Sequence, residues 1–318
     1  MRGTLVVTPN APAYYASVER HRRSRHGCQT ERFATFNQKT CRLVYGNDEI
    51  DYPSVLGCNS DAQTMKIFVT GSTDGLGRAA ARTLIDEGHE VVLHARSRER
   101  ASALEDLASR SAGVIIRDLG TAVDTRRIAA QVNAIGPMDA VIHNAGISST
   151  KGRSPTPEGH ATILAVNTLA PYTLTALIER PRRLVYLSSS MHRSGISSLR
   201  DIDWSERRWN SSQAYSDSKL YVTALAFAIA RRWPDVLSNA VDPGWVPTKM
   251  GGPGAPDDFE QGYLTQTWLT VSDDPAATVS GRYWYHRRPQ TPATEVDDRV
   301  FQDQLSARLA ELTGVSLF

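Results

Sequence analysis

The feature that most narrows the fold is a regular alternation that begins at Met65. The apolar run Lys66-Ile-Phe-Val-Thr70 enters a glycine-rich turn, and a helical pattern follows over Arg78–Glu87, stopped by Gly88. Strand-like and helix-like segments then take turns: Glu90–Ala95, a helix through Leu107, Val114–Arg117, a helix over Thr125–Ala134, and Asp139–His143. A helix over Gly159–Ile178, a strand at Arg183–Leu187, a helix running from Tyr215 toward Pro234 and a strand at Val236–Val241 continue the pattern. A helix near Glu260–Leu269, a strand at Tyr283–Tyr285 and a helix near Phe301–Leu312 complete it. Short apolar strands separated by helices of this length demand right-handed crossovers, which cover both faces of a parallel sheet. The expected fold of residues 65–318 is a single α/β domain, doubly wound around a parallel sheet of about seven strands.

Composition narrows the function. The chain is 41% hydrophobic and 22% charged, with a formal net charge of +2, values of a globular protein. No apolar run approaches the roughly 18 residues of a membrane span. The near balance of charge gives no electrostatic reason to expect nucleic acid as a partner.

Residues 1–64 differ from the rest. They carry Arg20, Arg22, Arg23 and Arg25 without sustained periodicity, and Arg42-Leu-Val-Tyr-Gly is the only strand-like piece. No apolar stretch follows a basic start, so a signal peptide is not expected. The leading reading is a loosely ordered extension ahead of Met65; an accessory element and a targeting segment are the alternatives. Cys28, Cys41 and Cys58 lack metal-ligand spacing, and no metal site is expected. The body of the chain contains no Cys and needs no oxidising compartment, which points to the cytoplasm.

Two stretches carry the chemistry. The first is Thr70-Gly71-Ser72-Thr-Asp-Gly75-Leu76-Gly77, between the first strand and the first helix. Glycines there let the backbone turn tightly and approach a pyrophosphate, and the helix N-terminus offers free N–H groups to it. About twenty residues on, where a carboxylate would hold the ribose 2′-OH of NAD, the chain has Arg96, with Arg98 and Arg100 close by. A guanidinium there binds a 2′-phosphate, so NADP is favoured over NAD. The second stretch is Tyr215-Ser-Asp-Ser-Lys219. Residues four apart share a helix face, and an ammonium one turn from a phenol favours the phenolate. A phenol tuned in this way transfers protons to or from a carbonyl or alcohol oxygen.

Taken in order, Thr70–Gly77, Asn144-Ala145-Gly146, Ser188-Ser189, Tyr215-x-x-x-Lys219 and Pro243-Gly244-x-x-x-Thr248 resemble the short-chain dehydrogenase/reductase (SDR) family over nearly all of residues 65–285. The glycine spacing resembles its single-domain branch and disfavours a nucleotide-sugar epimerase. The long gap from Ser189 to Tyr215, with Ser189-Ser-Met-His192, is most similar to retinol-dehydrogenase-like members.

The resemblance implies a Rossmann sheet and NADP(H)-dependent hydride transfer to or from a carbonyl or alcohol. It implies Tyr215 as general acid/base, Lys219 as the residue that lowers its pKa and holds the nicotinamide ribose, and Ser189 as the group on the substrate oxygen. Asn167 would keep a water in a relay from Lys219. Gly71, Ser72, Gly75, Leu76, Gly77, Arg96, Asp118, Leu119, Asn144, Ala145, Gly146, Pro243, Gly244, Val246 and Thr248 would line the cofactor, with Asp118 on the adenine and Asn144 on the floor. Members often carry His before Pro-Gly, where this chain has Asp242.

Trp204, Trp209 and Trp245, with Met191 and Met250, flank the expected site and suggest a lipophilic substrate; His192 is read as structural. Pro253–Asp258 would form a lid. The helices Gly159–Ile178 and Tyr215–Arg231 are apolar on more than one face, which by analogy suggests a homodimer or homotetramer. The alternative function is that of a non-catalytic NADP(H)-binding regulator.

Overall fold

The structure is a computed structural model. It describes residues 63–318 throughout and, ahead of them, the backbone of five strands. These are β1 Thr4–Val7, β2 Tyr15–Glu19, β3 Ala34–Asn37, β4 Arg42–Tyr45 and β5 Asp48–Asp51, paired antiparallel in chain order. Strand β4 falls on the piece that looks strand-like in the sequence. The expectations about loose order in 1–64 and about Cys28, Cys41 and Cys58 lie outside the described residues. The chain divides into two compact units, Met1–Gln63 and Thr64–Phe318.

The second unit alternates as the pattern requires. Its elements are β6 Lys66–Val69, α1 Gly75–Asp86, β7 Glu90–Ala95, α2 Arg98–Ala101, α3 Glu105–Ala108, β8 Gly113–Ile116, α4 Ala122–Ile135 and β9 Ala140–His143. Then come α5 Thr162–Leu164, α6 Ala170–Leu177, β10 Arg183–Leu187, α7 Ser211–Arg232, β11 Leu237–Asp242 and α8 Phe259–Val271. The hairpin β12 Tyr283–Tyr285 and β13 Arg288–Gln290 and the helices α9 Thr294–Asp297 and α10 Arg299–Thr313 finish the chain.

The sheet order is β8-β7-β6-β9-β10-β11-β12-β13, parallel except for β13. Strand order reverses between β6 and β9, and such a switch opens a crevice at the carboxyl ends of the strands. The eighth strand is an addition to the seven expected. It was not legible because it is short, exposed and contains Pro289, and because its turn uses His286 and Arg287 at φ 48° and 60° instead of glycine or asparagine.

Alternation along each strand splits the core in two. Phe68, Leu184, Tyr186 and Ala240 pack with α4, α6, α7 and α10, whereas Ile67, Val69, Val185, Leu187 and Val241 pack on the other face with residues of α1 and α8. Each fully buried Leu or Ile contributes roughly 2 kcal/mol.

Helix α7 lies in the first layer and begins four residues before Tyr215. The Asn210 side chain caps it by accepting from Gln213 N at 3.1 Å. It is buried on nearly every side from Ser216 to Ile229, because α9 and α10 cover the face turned away from the sheet. Tyr221 packs on Phe301, and Arg231 bonds Gln302. The second apolar face that suggested a subunit contact is thus occupied by the chain's own helices. Among the described residues, no helix is long and apolar enough to cross a membrane.

Candidate active site

The glycine turn runs from β6 into α1 at the mouth of the crevice. Gly71 and Gly75 hold φ 68° and 49°, which side chains disfavour. At Gly77 a Cβ would run into the Asn144 amide and the Gly71 carbonyl. Asn144 Nδ2 donates to Thr70 O at 3.0 Å and Gly71 O at 3.3 Å, and Ala145 N donates to Thr70 Oγ1, so the segment after β9 forms a floor under the turn.

His94 buttresses the same turn, a role the sequence did not suggest. Gly71 N donates to its Nδ1 at 3.0 Å, so Nε2 carries the proton and donates to Arg117 O at 2.9 Å. Burial brings this imidazole down to about 4 and keeps it neutral. A His closing the strand beside a glycine turn is the one signal that pointed to it.

The expected cofactor residues divide by environment. Arg96 is exposed at the end of β7. Arg100 reaches further in, bonding Thr73 Oγ1 and Asp74 Oδ2 at 3.3 Å each. Asp74 caps α1 on Gly75 N and also meets Lys249 at 2.6 Å, so cations ring the α1 N-terminus. Ser72 is turned inward. Its hydroxyl donates to Val69 O and accepts from His94 N, and its amide bonds His94 O, so it shapes the turn instead of offering a donor outward. Asp118 is exposed and accepts from Gly120 N, while Leu119 is core. Gly262 of α8 is tight against Leu76, Pro243 and Val246, and Gly75 abuts the Thr248 methyl group. Gly244, at φ 83°, leaves no room for a side chain beside Asp257. Asp257 in turn accepts from Trp245 N at 2.6 Å and ties the Pro253–Asp258 segment to it.

Tyr215, Lys219, Ser189 and Asn167 meet where β9 and β10 end. Asn167 lies in a π turn, Ala165–Leu169, between α5 and α6. Its Oδ1 accepts from Ile147 N at 2.9 Å, and its Nδ2 donates to Ile147 O and Ser218 Oγ. Gly146 sits beside both Asn167 Oδ1 and Lys219 Nζ. Lys219 is buried and donates to Leu187 O at 2.7 Å. Its Nζ stands 5.5 Å from the centre of the Tyr215 ring.

The Ser189 hydroxyl caps the turn Ser190–Ser194 by accepting from Met191 N at 3.3 Å, and its side chain lies near enough to the Tyr215 phenol to act on it. His192 is fully buried and holds Ser189 in place. Ala293 N donates to its Nε2 at 3.0 Å, so the proton is on Nδ1, which donates to Ser189 O at 2.7 Å.

Burial brings Lys219 down to about 8, with the Asp242 charge opposing, and pushes Tyr215 up to about 12, with the neighbouring Ser189 side chain opposing and the Asp242 charge adding. Desolvation therefore outweighs the lowering expected of the ammonium, which is turned toward Leu187 O.

The tryptophans separate. Trp204, at φ 56°, is 5% exposed in a cluster with Ile163 and Trp209 and lies under Arg207 at 3.6 Å. Trp245 is 61% exposed. Four of the eight large apolar side chains exposed among the described residues, Met191, Ile196, Trp245 and Met250, lie on the loops after β10 and β11. They make these loop ends apolar.

Comparison with known proteins gives the family. A family profile described as short chain dehydrogenase matches residues 65–258. The short-chain dehydrogenase chyC of Penicillium rubens is 38% identical over 255 residues, 79% of this chain and 98% of that one. Human retinol dehydrogenase 13 is 28% identical over 302 residues, covering 83% of this chain and 90% of its own. A crystal structure of an uncharacterised protein from Mycobacterium paratuberculosis superposes with a TM-score of 0.69 at 25% identity, over 81% of this chain and 98% of that one. The chain belongs to the short-chain dehydrogenase/reductase family, oxidoreductases that bind NAD(P) and act on CH-OH or C=O groups.

Proposed function

We propose that residues 65–318 reduce a lipophilic carbonyl compound with NADPH, with Tyr215 as the proton donor. The observation that carries this reading is the Ser189 side chain beside the Tyr215 phenol, one helical turn from the buried ammonium of Lys219. Raised to about 12, the phenol keeps its proton at neutral pH, which is the form carbonyl reduction requires.

The residues around α1 fit a dinucleotide. Left-handed glycines and a position without room for a Cβ leave bare backbone at a helix N-terminus, and Arg96, Arg100 and Lys249 supply positive charge nearby. When bound, the nicotinamide supplies the hydride. Ser189 donates to the substrate oxygen and stabilises the charge that develops there. Tyr215 delivers its proton to that oxygen. Lys219 holds positive charge behind the phenol, and Asn167 fixes the segment 146–147 that borders the ammonium. The exposed Met191, Ile196, Trp245 and Met250 give an apolar substrate a surface to cover.

The test is NADPH consumption across a panel of aldehydes and ketones, with wild type beside Tyr215→Phe. The expected result is turnover that falls roughly 100- to 10,000-fold in the mutant while NADPH still binds. Binding of cofactor without turnover on any carbonyl favours the regulator instead.

A further inference from the structure

Asp242 is a buried carboxylate, 5% exposed, that the proton transfer above does not use. Tyr283 OH donates to its Oδ2 at 2.9 Å and Gly244 N to its Oδ1 at 3.0 Å. Both donors are uncharged, so its charge is not cancelled by them. Alternation along β11 sends Val241 to the α1–α8 side and returns Asp242 to the α7 side, with Ala240.

The register of β10 and β11 sets Leu187 opposite Val241, which makes Ser188 the neighbour of Asp242. The Ser188 hydroxyl bonds Thr223 Oγ1 at 2.6 Å, and Thr223 Oγ1 donates to Lys219 O at 2.6 Å. The Lys219 ammonium bonds the adjacent Leu187 O. Asp242 is therefore seated against the turn of α7 that carries Lys219. On its other side the Tyr283 ring packs on His192, 4.5 Å between centroids, and His192 holds Ser189.

We propose that Asp242 is a positioning residue for the Tyr215–Lys219 pair: a fixed negative charge at the end of β11 that keeps the buried ammonium in its site and the phenol in its protonated form. This rests on the reading of Tyr215 and Lys219 as the proton-transfer pair. The titratable and charged groups around the carboxylate are Tyr215 and Lys219 of α7, Tyr283 and Tyr285 of β12, and His192 and Arg193 of the turn after β10. Asp257 beyond Tyr285 and Glu295 beyond His192 complete the set. His192 is held neutral by burial, and the Arg193 guanidinium lies over the Tyr283 ring, 5.4 Å from its centre. After burial, the charge of Asp242 is what acts on Lys219, and it raises it; at Tyr215 it also raises, behind the opposing effect of the Ser189 side chain.

The test is the titration of Lys219 by NMR in protein carrying ¹³C at lysine Cε, without cofactor, in wild type and Asp242→Asn. The chain has lysines only at 39, 66, 151, 219 and 249, so Lys219→Met assigns the signal. Removing the charge is expected to move the Lys219 midpoint down by about one pH unit and the alkaline limb of the reductase profile with it. Asp242→Glu is expected to keep the wild-type curve. An unmoved midpoint in Asp242→Asn overturns the proposal. Should that variant not fold, Asp242→Ser takes its place; failure of both to fold makes Asp242 a packing element and also overturns it. A moved midpoint without turnover on any carbonyl leaves this proposal standing and removes the reductase reading. Turnover that needs Tyr215, with Lys219 unmoved, does the reverse.

Discussion

The ammonium of Lys219 donates to the backbone carbonyl of Leu187 across 2.7 Å, inside the layer between helix α7 and the end of β10. One carbonyl does not replace the water a charge gives up, and burial brings the group down from 10.5 to about 8. For a base held below its unfolded pKa, the cost to folding is fully present below pH 8 and disappears as pH rises toward 10.5. That cost is about 3 kcal/mol at neutral pH.

Lys219→Met is therefore expected to stabilise the fold at pH 7 by on the order of 1–3 kcal/mol, after allowing for the lost hydrogen bond. The gain should shrink by pH 10, while turnover falls at least about 100-fold. Thermal unfolding at both pH values checks the first part; a melting temperature at pH 7 well below wild type would contradict it.

Gly77→Ala places a methyl group against the Asn144 amide and the Gly71 carbonyl, and the carbonyl is backbone that cannot swing aside. A loss of about 1–3 kcal/mol is expected, with weakened dinucleotide binding. Gly254→Ala meets nothing within 4 Å and needs no left-handed backbone, so it should be neutral or slightly stabilising. Denaturant unfolding and cofactor titration on the pair of variants measure the contrast.

His94 and His143 are buried and neutral, lowered by burial from 6.5 to about 4 and about 3. A base depressed in the folded state contributes stability above its unfolded pKa and loses it as pH falls. The loss begins near 6.5 and is about 2 kcal/mol for each group by pH 5. His143 stacks on Tyr186 at 4.6 Å, and its Nδ1 has no partner among the described residues. His143→Phe should keep the stacking, leave stability at pH 7 within about 1 kcal/mol of wild type, and remove about half of the loss at pH 5. Guanidinium unfolding at the two pH values decides it.

The cofactor preference is tested at the end of β7. Arg96→Asp should weaken NADPH binding roughly 10- to 100-fold and NADH binding little, since only NADPH presents a 2′-phosphate to repel. Arg100, held on Thr73 and Asp74 beside the glycine turn, should give a smaller effect of the same sign on replacement by Ala. Dissociation constants for both cofactors would measure this; equal losses for the two would rule out NADP preference at this position.

Local information sufficed for much of this. Period-two and period-3.6 patterns set which segments are strands and which are helices, because alternation and helical spacing are properties of neighbours along the chain. The strand Arg183–Leu187 and the glycine turn from β6 to α1 were legible for that reason. So was the sharing of one helix face by Tyr215 and Lys219. What the tertiary structure alone decided is which groups meet across long separations. His94 on Gly71 spans 23 residues, Ala293 on His192 spans 101, and Tyr283 on Asp242 spans 41. The covering of α7 by α10, the burial of Trp204 and the inward turn of Ser72 are decisions of the same kind. Burial and hydrogen-bond partnership depend on which distant surfaces come together, and no short window of residues contains that. Desolvation follows from it, and so the sign of the shift at Tyr215 could be read only once the chain was folded.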